Sequence, residues 1–245
     1  MNSRTTDAIV LRWYPYRSFD RRVIFYTRDL GKVDGMARGT QRITSKLAGS
    51  LEPLLIIKLS IAHGPRNDQV IGAVVEKRFR TLTESLPRFG AAHSITELLD
   101  QLVKPYHPDE RIFTLVEKAL ERLENPQPIF RGFVDLVHLQ LLAALGYEAA
   151  FVQSVVSGRD ADDGVFDPSH GGFVLAEEAS ISDLPRITRQ ERGTLEALLA
   201  SDEPPASDPG FAPELYRALR TFIYSKLDHP LRSDAFLTSV LQSEA

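Results

Sequence analysis

The hydrophobic pattern of this chain changes its period near residue 80, and that change limits the folds open to it. Up to residue 79, apolar and polar side chains alternate over short runs rich in Val, Ile and aromatic residues, which is typical of half-buried β-strands. Beyond residue 86, apolar residues recur every three or four positions, as on one face of an α-helix. The sequence therefore predicts an α+β protein in which the strands come first.

The strand-type runs are short and are bounded by turn residues such as Pro15, Gly31 and Gly49. A closed or nearly closed five-stranded barrel is the economical arrangement for them, because closure removes the edges that a small isolated sheet would expose. The predicted strands cover residues 7–14, 21–28, 31–38, 51–62 and 68–79.

The helical patterns predict a second domain. With 245 residues, 43% of them hydrophobic, the chain is long enough for at least two cores. We place one domain at residues 1–80 and a helical domain at 81–245, with an irregular insertion at about 147–180. Helical periodicity runs up to Pro105, through 109–125 and 129–146, which we expect to pack as one small bundle, and then through 188–201, 213–227 and 233–241.

Charge is divided unequally between these two parts. Residues 1–80 contain 15 Lys and Arg against 7 Asp and Glu, whereas residues 81–245 contain 14 against 26. A net charge of +8 on the barrel and −12 on the remainder indicates a polyanion-binding module joined to a body suited to protein partners. The alternative is that charge varies by chance along the chain.

The positive residues of the predicted barrel are concentrated around its third strand. Strand alternation places Val33 on one face and Lys32 and Arg38 on the other. Lys and Arg suit phosphate binding because each neutralised phosphate releases condensed counterions. The residues predicted to bind nucleic acid by charge are Lys32, Arg38, Arg42, Lys46, Arg21, Arg22 and Arg28. The alternative reading is an ordinary solvated strand face.

Aromatic residues surround the first predicted turn. Trp13, Tyr14, Tyr16 and Phe19 lie there, and an exposed ring can stack on an unpaired base. We predict Tyr14 and Tyr16 as the exposed pair. The alternative for each ring is burial in the barrel core.

Several functional classes are excluded or disfavoured by missing residues. The chain contains no Cys, which excludes disulfides, thiol catalysis and cysteine-ligated metals. It contains no Walker A loop, GxSxG or HExxH motif, and Asp160, Asp162, Asp163 and Asp167 do not fit the EF-hand pattern. We expect no enzyme, catalytic residue, cofactor or membrane segment, and a cytoplasmic protein.

The stretch "SVVSGRDADDGVFDPSHGGFVLAEE" at residues 154–178 has the frame of a four-cysteine zinc module without its cysteines. Together with "AIVLRWYPY", "TRDLGKV", "ARGTQRITSKLAG" and "LLAALGY", it makes the chain resemble the RecO family of bacterial recombination mediators. The resemblance covers almost the whole chain and is strongest in residues 7–53 and 141–175.

This resemblance implies an N-terminal OB-fold, a helical domain and a small zinc-finger-like insertion. It also implies binding to single- and double-stranded DNA, annealing of complementary strands, and partnership with RecR and with the C-terminal tail of the single-stranded DNA-binding protein SSB. It further implies an indirect role in loading RecA, and association with the bacterial nucleoid during repair. The cations proposed for the SSB tail are Arg131, Arg217, Arg220 and Lys226.

The zinc-ligand positions depart from the family pattern in this chain. They are occupied by Ser154, Ser157, Leu175 and Glu178. These groups lack the thiolates that hold structural zinc. We therefore expect no bound metal and an insertion held by packing alone, through Val155, Val156, Phe166, Phe173 and Val174. The remaining functional alternative is an OB-fold RNA-binding factor whose helical half docks to another protein, because phosphate and stacking contacts alone do not distinguish RNA from DNA.

Overall fold

The first five strands close into a barrel. The structure is a computed structural model that describes residues 3–42, 44–64, 67–130 and 132–243, with side chains described up to residue 237. The strand order is β1-β2-β3-β5-β4, with β1 also paired to β4. The predicted barrel is therefore confirmed. Its strands are β1 Ser3–Tyr16, β2 Asp20–Thr27, β3 Gly31–Ala37, β4 Ile56–Ala62 and β5 Asp68–Lys77.

The barrel interior follows from the alternation of the sequence. Val23 and Phe25 of β2, Val33 of β3 and Ile57 and Leu59 of β4 are all buried in one apolar cluster. Successive side chains of a strand point to opposite faces, so every second residue enters this core. Burial of these aliphatic and aromatic side chains is the main driving force for barrel formation.

Strand β3 meets β5 in parallel over a short length, and a glycine permits the approach. The register pairs Gly35 with Asp68 and Met36 with Gln69. A Cβ atom built on Gly35 would lie 2.9 Å from Val70 Cγ2 and 3.2 Å from a ring carbon of Phe25. The contact between the two strands therefore depends on the missing side chain.

The helices belong to two compact units. Residues 1–126 and 231–245 form one unit, and residues 127–230 form the other. The structure contains helices α1 Arg80–Glu84, α2 Leu86–Leu102, α3 Glu110–Glu124, α4 Phe133–Ala144, α5 Arg189–Leu199, α6 Pro213–Tyr224 and α7 Arg232–Ser243. Strand β5 ends and α1 begins near the predicted boundary at residue 80, but the domain limits stay a prediction.

Carboxylates fix two helix starts in the first unit. The Glu124 side chain accepts hydrogen bonds from the backbone N–H groups of Arg80, Thr81 and Leu82 at the start of α1. Glu97 of α2 likewise accepts from the backbone N–H groups of Arg232 and Ser233. Free N–H groups and the helix dipole both favour a negative charge at these ends. Side chains of α2 and α3 thereby position α1 and α7.

Helix α4 packs against other helices than the sequence predicted. The sequence grouped α4 with α2 and α3, whereas the structure packs it against α5 and α6. Helix α4 is buried along almost its whole length, so it needs apolar cover on several sides. A small sheet of order β7-β6-β8 completes the unit, formed by β6 Asp163–Asp167, β7 Gly172–Val174 and β8 Arg186–Thr188.

No helix within the described ranges is both long and apolar enough to cross a bilayer.

We predict that Gly35→Ala destabilises the barrel, because its new methyl group would crowd Val70 and Phe25. The expected loss in the free energy of unfolding is about 1–3 kcal/mol, the usual cost of overpacking. Urea titration followed by the fluorescence of Trp13, the single tryptophan, reports on the barrel. Gly49→Ala is the matched control, because a Cβ there meets no atom within 4 Å. Equal midpoints for both variants would contradict the prediction.

Candidate nucleic-acid interface

The turn between β1 and β2 and the segment after β3 form one surface at an end of the barrel. The backbone N–H of Gln41 donates to the carbonyl oxygen of Phe19 at 3.0 Å. The backbone N–H of Gly39 donates to Asp20 Oδ1 at 2.8 Å, and Gln41 Nε2 donates to the Asp20 carbonyl at 3.0 Å. Backbone hydrogen bonds of this kind hold the two segments in register.

This surface presents four exposed cations. We call it the cationic tip and define it by Arg17, Phe19, Arg38, Arg42 and Lys46. Among the described residues, no carboxylate lies in ion-pair range of the four cations. Arg38, Arg42 and Lys46 were predicted from sequence, and Arg17 was not. The tip is therefore a concentration of uncompensated positive charge at a protein surface, which attracts polyanions.

The other predicted cations of the barrel are neutralised by carboxylates. Lys32 Nζ lies 2.8 Å from Asp100 Oδ1, at the end of α2. Arg22 Nη2 lies 2.7 Å from Asp34 Oδ2, and this hydrogen bond raises the pKa of the Arg22 guanidinium. The assignment of Lys32 and Arg22 to DNA stays a prediction, but a phosphate would compete there with a carboxylate already in place.

Arg21 and Arg28 are also held by protein partners. Arg21 Nη1 lies 2.9 Å from Glu52 Oε1, and its guanidinium carbon lies 3.7 Å from the centre of the Trp13 ring. Arg28 contacts the carboxylates of Asp7, Glu110 and Glu117 at 3.1–3.5 Å. Two of these partners, Glu110 and Glu117, lie more than 80 residues from Arg28 in sequence, so local spacing carried no signal for the pairing.

The aromatic side chains near the first turn differ in exposure. Tyr14 and Tyr16, the predicted exposed pair, are only partly exposed. The Tyr14 hydroxyl lies 3.5 Å from Asp34 Oδ2, and the Tyr16 ring lies under Arg17 at 5.3 Å. Phe19 is 51% exposed and is the ring that belongs to the cationic tip. Its position in the turn, directly before β2, was the available sequence signal.

The edge of β3 away from the tip is covered by the connection between α2 and α3. Lys32 forms a β-bridge with Pro105, and the backbone N–H of Tyr106 donates to the Lys32 carbonyl at 3.1 Å. The Tyr106 hydroxyl donates to the buried carboxylate of Asp68 at 2.8 Å. Strand β5 pairs only with Gly35 and Met36 of β3, and the connection covers the β3 edge at Lys32. The backbone of Lys32 therefore offers no free strand edge to a ligand.

The four residues predicted to stand at zinc-ligand positions come together around the Glu178 carboxylate. Ser154 Oγ donates to Glu178 Oε2 at 2.5 Å, and the Leu175 backbone N–H donates to the same oxygen at 3.2 Å. Arg159 Nη2 donates to Glu178 Oε1 at 2.9 Å. The hydrogen bonds from Ser154 and Ser157 lower the pKa of Glu178 to about 2.

These residues do not fit zinc. The only carboxylate of the set already accepts hydrogen bonds on both oxygens, and the Leu175 side chain offers no ligand atom. Among the residues that the structure describes, no group of three or more His, Cys, Asp or Glu side chains is arranged to hold a metal ion. A hydrogen-bonded carboxylate therefore stands where the predicted zinc module would require a thiolate.

The prediction that packing alone holds this insertion is wrong. Phe166, Phe173 and Val174 are fully buried as predicted, but Val155 and Val156 are 38% and 50% exposed. The two valines lie in a turn whose backbone N–H groups point towards the Ser154 hydroxyl and the Phe173 carbonyl, which leaves their side chains in solvent. Polar interactions supplement the core.

Besides the hydrogen bonds to Glu178, a buried arginine stabilises the insertion. Arg192 of α5 is 3% exposed, and its Nη1 donates to the carbonyl oxygens of Phe151 and Val152 at 2.8 and 3.0 Å. Its guanidinium carbon lies 3.9 Å from the centre of the Phe173 ring. Arg192 thereby joins the first loop of the insertion to its sheet.

The cations proposed for the SSB tail have different environments in the second unit. Arg220 makes a bidentate pair with Asp135 at 2.7 and 2.9 Å, and Arg217 lies 2.8 Å from Glu214. Lys226 Nζ lies 4.7 Å from the centre of the Phe222 ring. Arg131 lies outside the described residues. Their role in tail binding stays a prediction.

The order and closure of the first five strands define an OB-fold barrel, here followed by helices. The family model for the N-terminal part of recombination protein O matches residues 1–74, and the model for its C-terminal part matches residues 83–235. The chain belongs to the RecO family of DNA repair proteins.

Individual relatives extend over most of the chain. The DNA repair protein RecO of Symbiobacterium thermophilum is 27% identical over 247 residues, which cover 96% of each chain. The protein of the same name from Pelotomaculum thermopropionicum is 29% identical over 98% of this chain and 95% of its own. That of Salinibacter ruber is 30% identical over 78% of this chain and 73% of its own.

We predict that Glu178→Gln destabilises the insertion in a pH-dependent manner. The folded-state pKa of Glu178, about 2, lies below its ordinary value of 4.5. Its carboxylate therefore stabilises the fold above pH 4.5, and this contribution is lost as the pH falls towards 2. The difference in melting temperature between the unchanged protein and Glu178→Gln should be largest near neutral pH and should shrink below pH 4.5.

Glu177→Gln is the matched control, since Glu177 also pairs with Arg159 but is exposed. Its difference in melting temperature should stay small at every pH. A chelator should leave all melting temperatures unchanged, and metal analysis should find no stoichiometric zinc. Tightly bound zinc, or an equal effect of Glu178→Gln at pH 7 and pH 3, would refute this account of the insertion.

Proposed function

We propose that the cationic tip binds DNA through its phosphates and that the protein acts as a non-catalytic recombination mediator. In this proposal it anneals complementary strands and, together with RecR, helps to load RecA onto single strands coated by SSB. The observation that most supports this proposal is the set of exposed cations at the tip, which no carboxylate of the described residues neutralises. Membership of a family of DNA repair proteins supports the choice of DNA as the polyanion.

Phosphate binding at the tip is favourable because its cations are not already paired. A phosphate that binds Arg38, Arg42 or Lys46 displaces water and counterions, whereas one that binds Lys32 must first separate that residue from Asp100. We therefore assign the principal phosphate contacts to Arg17, Arg38, Arg42 and Lys46. Double- and single-stranded DNA both carry the required phosphates.

Contacts to the backbone leave the base edges accessible, which is what annealing requires. Phosphate contacts position a strand without reading its sequence. Two strands held in this way can pair with each other while still bound, and a strand held only by its phosphates can be handed to a recombinase. No chemical step on the DNA is needed for either process.

The partner proteins are assigned to the second unit. We propose that Lys226 contributes to binding the acidic tail of SSB, because its described contact is with the Phe222 ring and leaves the ammonium group available. Arg217 and Arg220 would have to exchange Glu214 and Asp135 for carboxylates of the tail. The association with RecR, RecA and the nucleoid rests on family membership.

Removing the tip cations should weaken DNA binding and its dependence on salt. We predict that the triple variant Arg38→Ala, Arg42→Ala, Lys46→Ala binds single-stranded oligonucleotides more weakly. Each lost phosphate contact reduces the slope of log K against log salt concentration by about 0.7, so three contacts reduce it by about 2. Fluorescence anisotropy at a series of salt concentrations measures both the affinity and the slope.

Two control proteins separate this effect from general loss of charge. The triple variant Arg4→Ala, Lys104→Ala, Arg186→Ala removes three exposed cations outside the tip and should leave the slope almost unchanged. Lys32→Ala should lower stability through loss of its pair with Asp100 and should also leave the slope unchanged. A reduced slope for either control, or an unaltered slope for the tip variant, would exclude the tip as the main contact.

Annealing distinguishes a mediator from an ordinary OB-fold binder. Two complementary oligonucleotides with a donor and an acceptor dye are mixed with the protein, first bare and then coated with SSB. We expect the unchanged protein to accelerate pairing in both cases and the tip variant to accelerate neither. Binding without acceleration, or a clear preference for RNA of the same sequence, would favour an RNA-binding role instead.

A further inference from the structure

Phe19 is an exposed ring on a fixed turn. It is 51% exposed, and its backbone carbonyl accepts a hydrogen bond from Gln41 at 3.0 Å. The next residue, Asp20, accepts hydrogen bonds from Gly39 and Gln41. The ring is therefore presented to solvent from a backbone held at Phe19 and at the next residue, so ligand binding costs little further conformational entropy.

The other aromatic side chains of this region are engaged with the protein. Trp13 Nε1 donates to Glu52 at 3.1 Å, and the Trp13 ring lies under Arg21. Tyr14 lies within hydrogen-bond range of Asp34, and Tyr16 is partly covered. Phe19 is thus the most exposed ring of this group, and it remains accessible to a ligand.

The partner of the Phe19 ring in the protein is itself a cation of the tip. The Arg42 guanidinium carbon lies 5.3 Å from the ring centre, within the range of a cation–π contact. A nucleotide carries a flat aromatic base and an anionic phosphate on one sugar. Phe19 and Arg42 offer the two complementary groups side by side, one for each part of the nucleotide.

We propose that Phe19 stacks on an unpaired base of a strand whose phosphates lie on Arg38, Arg42 and Lys46. This inference rests on the proposed function and narrows its ligand to single-stranded nucleic acid at this position. A base inside a duplex is already stacked on both faces and is not free to contact the ring. The tip therefore distinguishes an unpaired strand from a duplex by one side chain, while the cations bind both.

Three probes of equal length test this inference. They are a single strand, a strand of the same backbone with abasic sugars in place of nucleotides, and a duplex. Phe19→Ala and Phe19→Leu should each reduce affinity for the single strand by about 5- to 150-fold, the range typical of one lost base–aromatic stack. Both variants should leave the affinity for the abasic strand and the duplex, and the salt slope, unchanged.

Phe19→Trp should retain the affinity, because indole also stacks. An oligonucleotide that contains 2-aminopurine gives a second readout, since the fluorescence of this base falls when it stacks: the fall should occur with the unchanged protein and Phe19→Trp and be absent with Phe19→Leu. Tyr147→Ala removes an exposed ring outside the tip and should alter nothing.

The outcomes separate the inference from the proposed function. Equal losses on the abasic and normal strands would show that Phe19 only positions Arg42, which overturns the stacking inference and leaves phosphate binding intact. Full single-strand affinity in Phe19→Leu would overturn it as well. If the unchanged protein binds none of the three probes at low salt, the proposed function itself fails.

Discussion

Ion pairs between the barrel and the helices that follow it determine which positive charges are left for a ligand. Asp100 of α2 neutralises Lys32, and Glu117 of α3 contacts both Arg28 and Lys77. Such partly buried pairs are less screened by salt than exposed ones, and removing one member leaves the other poorly solvated. The surplus charge of residues 1–80 is thus reduced where helices cover the barrel and persists at the cationic tip.

This division also explains why stability and binding are carried by different residues. The shape of the tip is set by the backbone hydrogen bond from Gln41 to Phe19 and by the Asp20 carboxylate, which accepts from the Gly39 N–H. Its four cation side chains therefore contribute little to that shape. Their side chains remain free to adapt to a strand whose phosphates are irregularly spaced. A surface of this type suits binding without sequence preference.

The barrel and the helices were largely predictable from the sequence, because periodicity encodes which face of an element is buried. The buried face of β3, with Val33 inside the barrel, followed from the same alternation. The sequence could not show that Lys32 and Arg28 are paired with carboxylates while Arg38 and Arg42 are not. The partners of Lys32 and Arg28 lie in α2 and α3 and become neighbours only in the folded chain. The predicted burial of Val155 and Val156 was wrong for a similar reason, because an apolar side chain alone does not show whether its residue lies in a turn or in the core.

Hydrogen bonds to one carboxylate hold the loops of the insertion together. A metal ion draws several side chains to one centre through strong, directional bonds. In this chain the Glu178 carboxylate is such a centre, with Ser154, Leu175 and Arg159 as donors, while Arg192 ties the adjoining loop to the Phe173 ring. Hydrogen bonds to one carboxylate depend on its ionisation, so acid is expected to weaken the insertion.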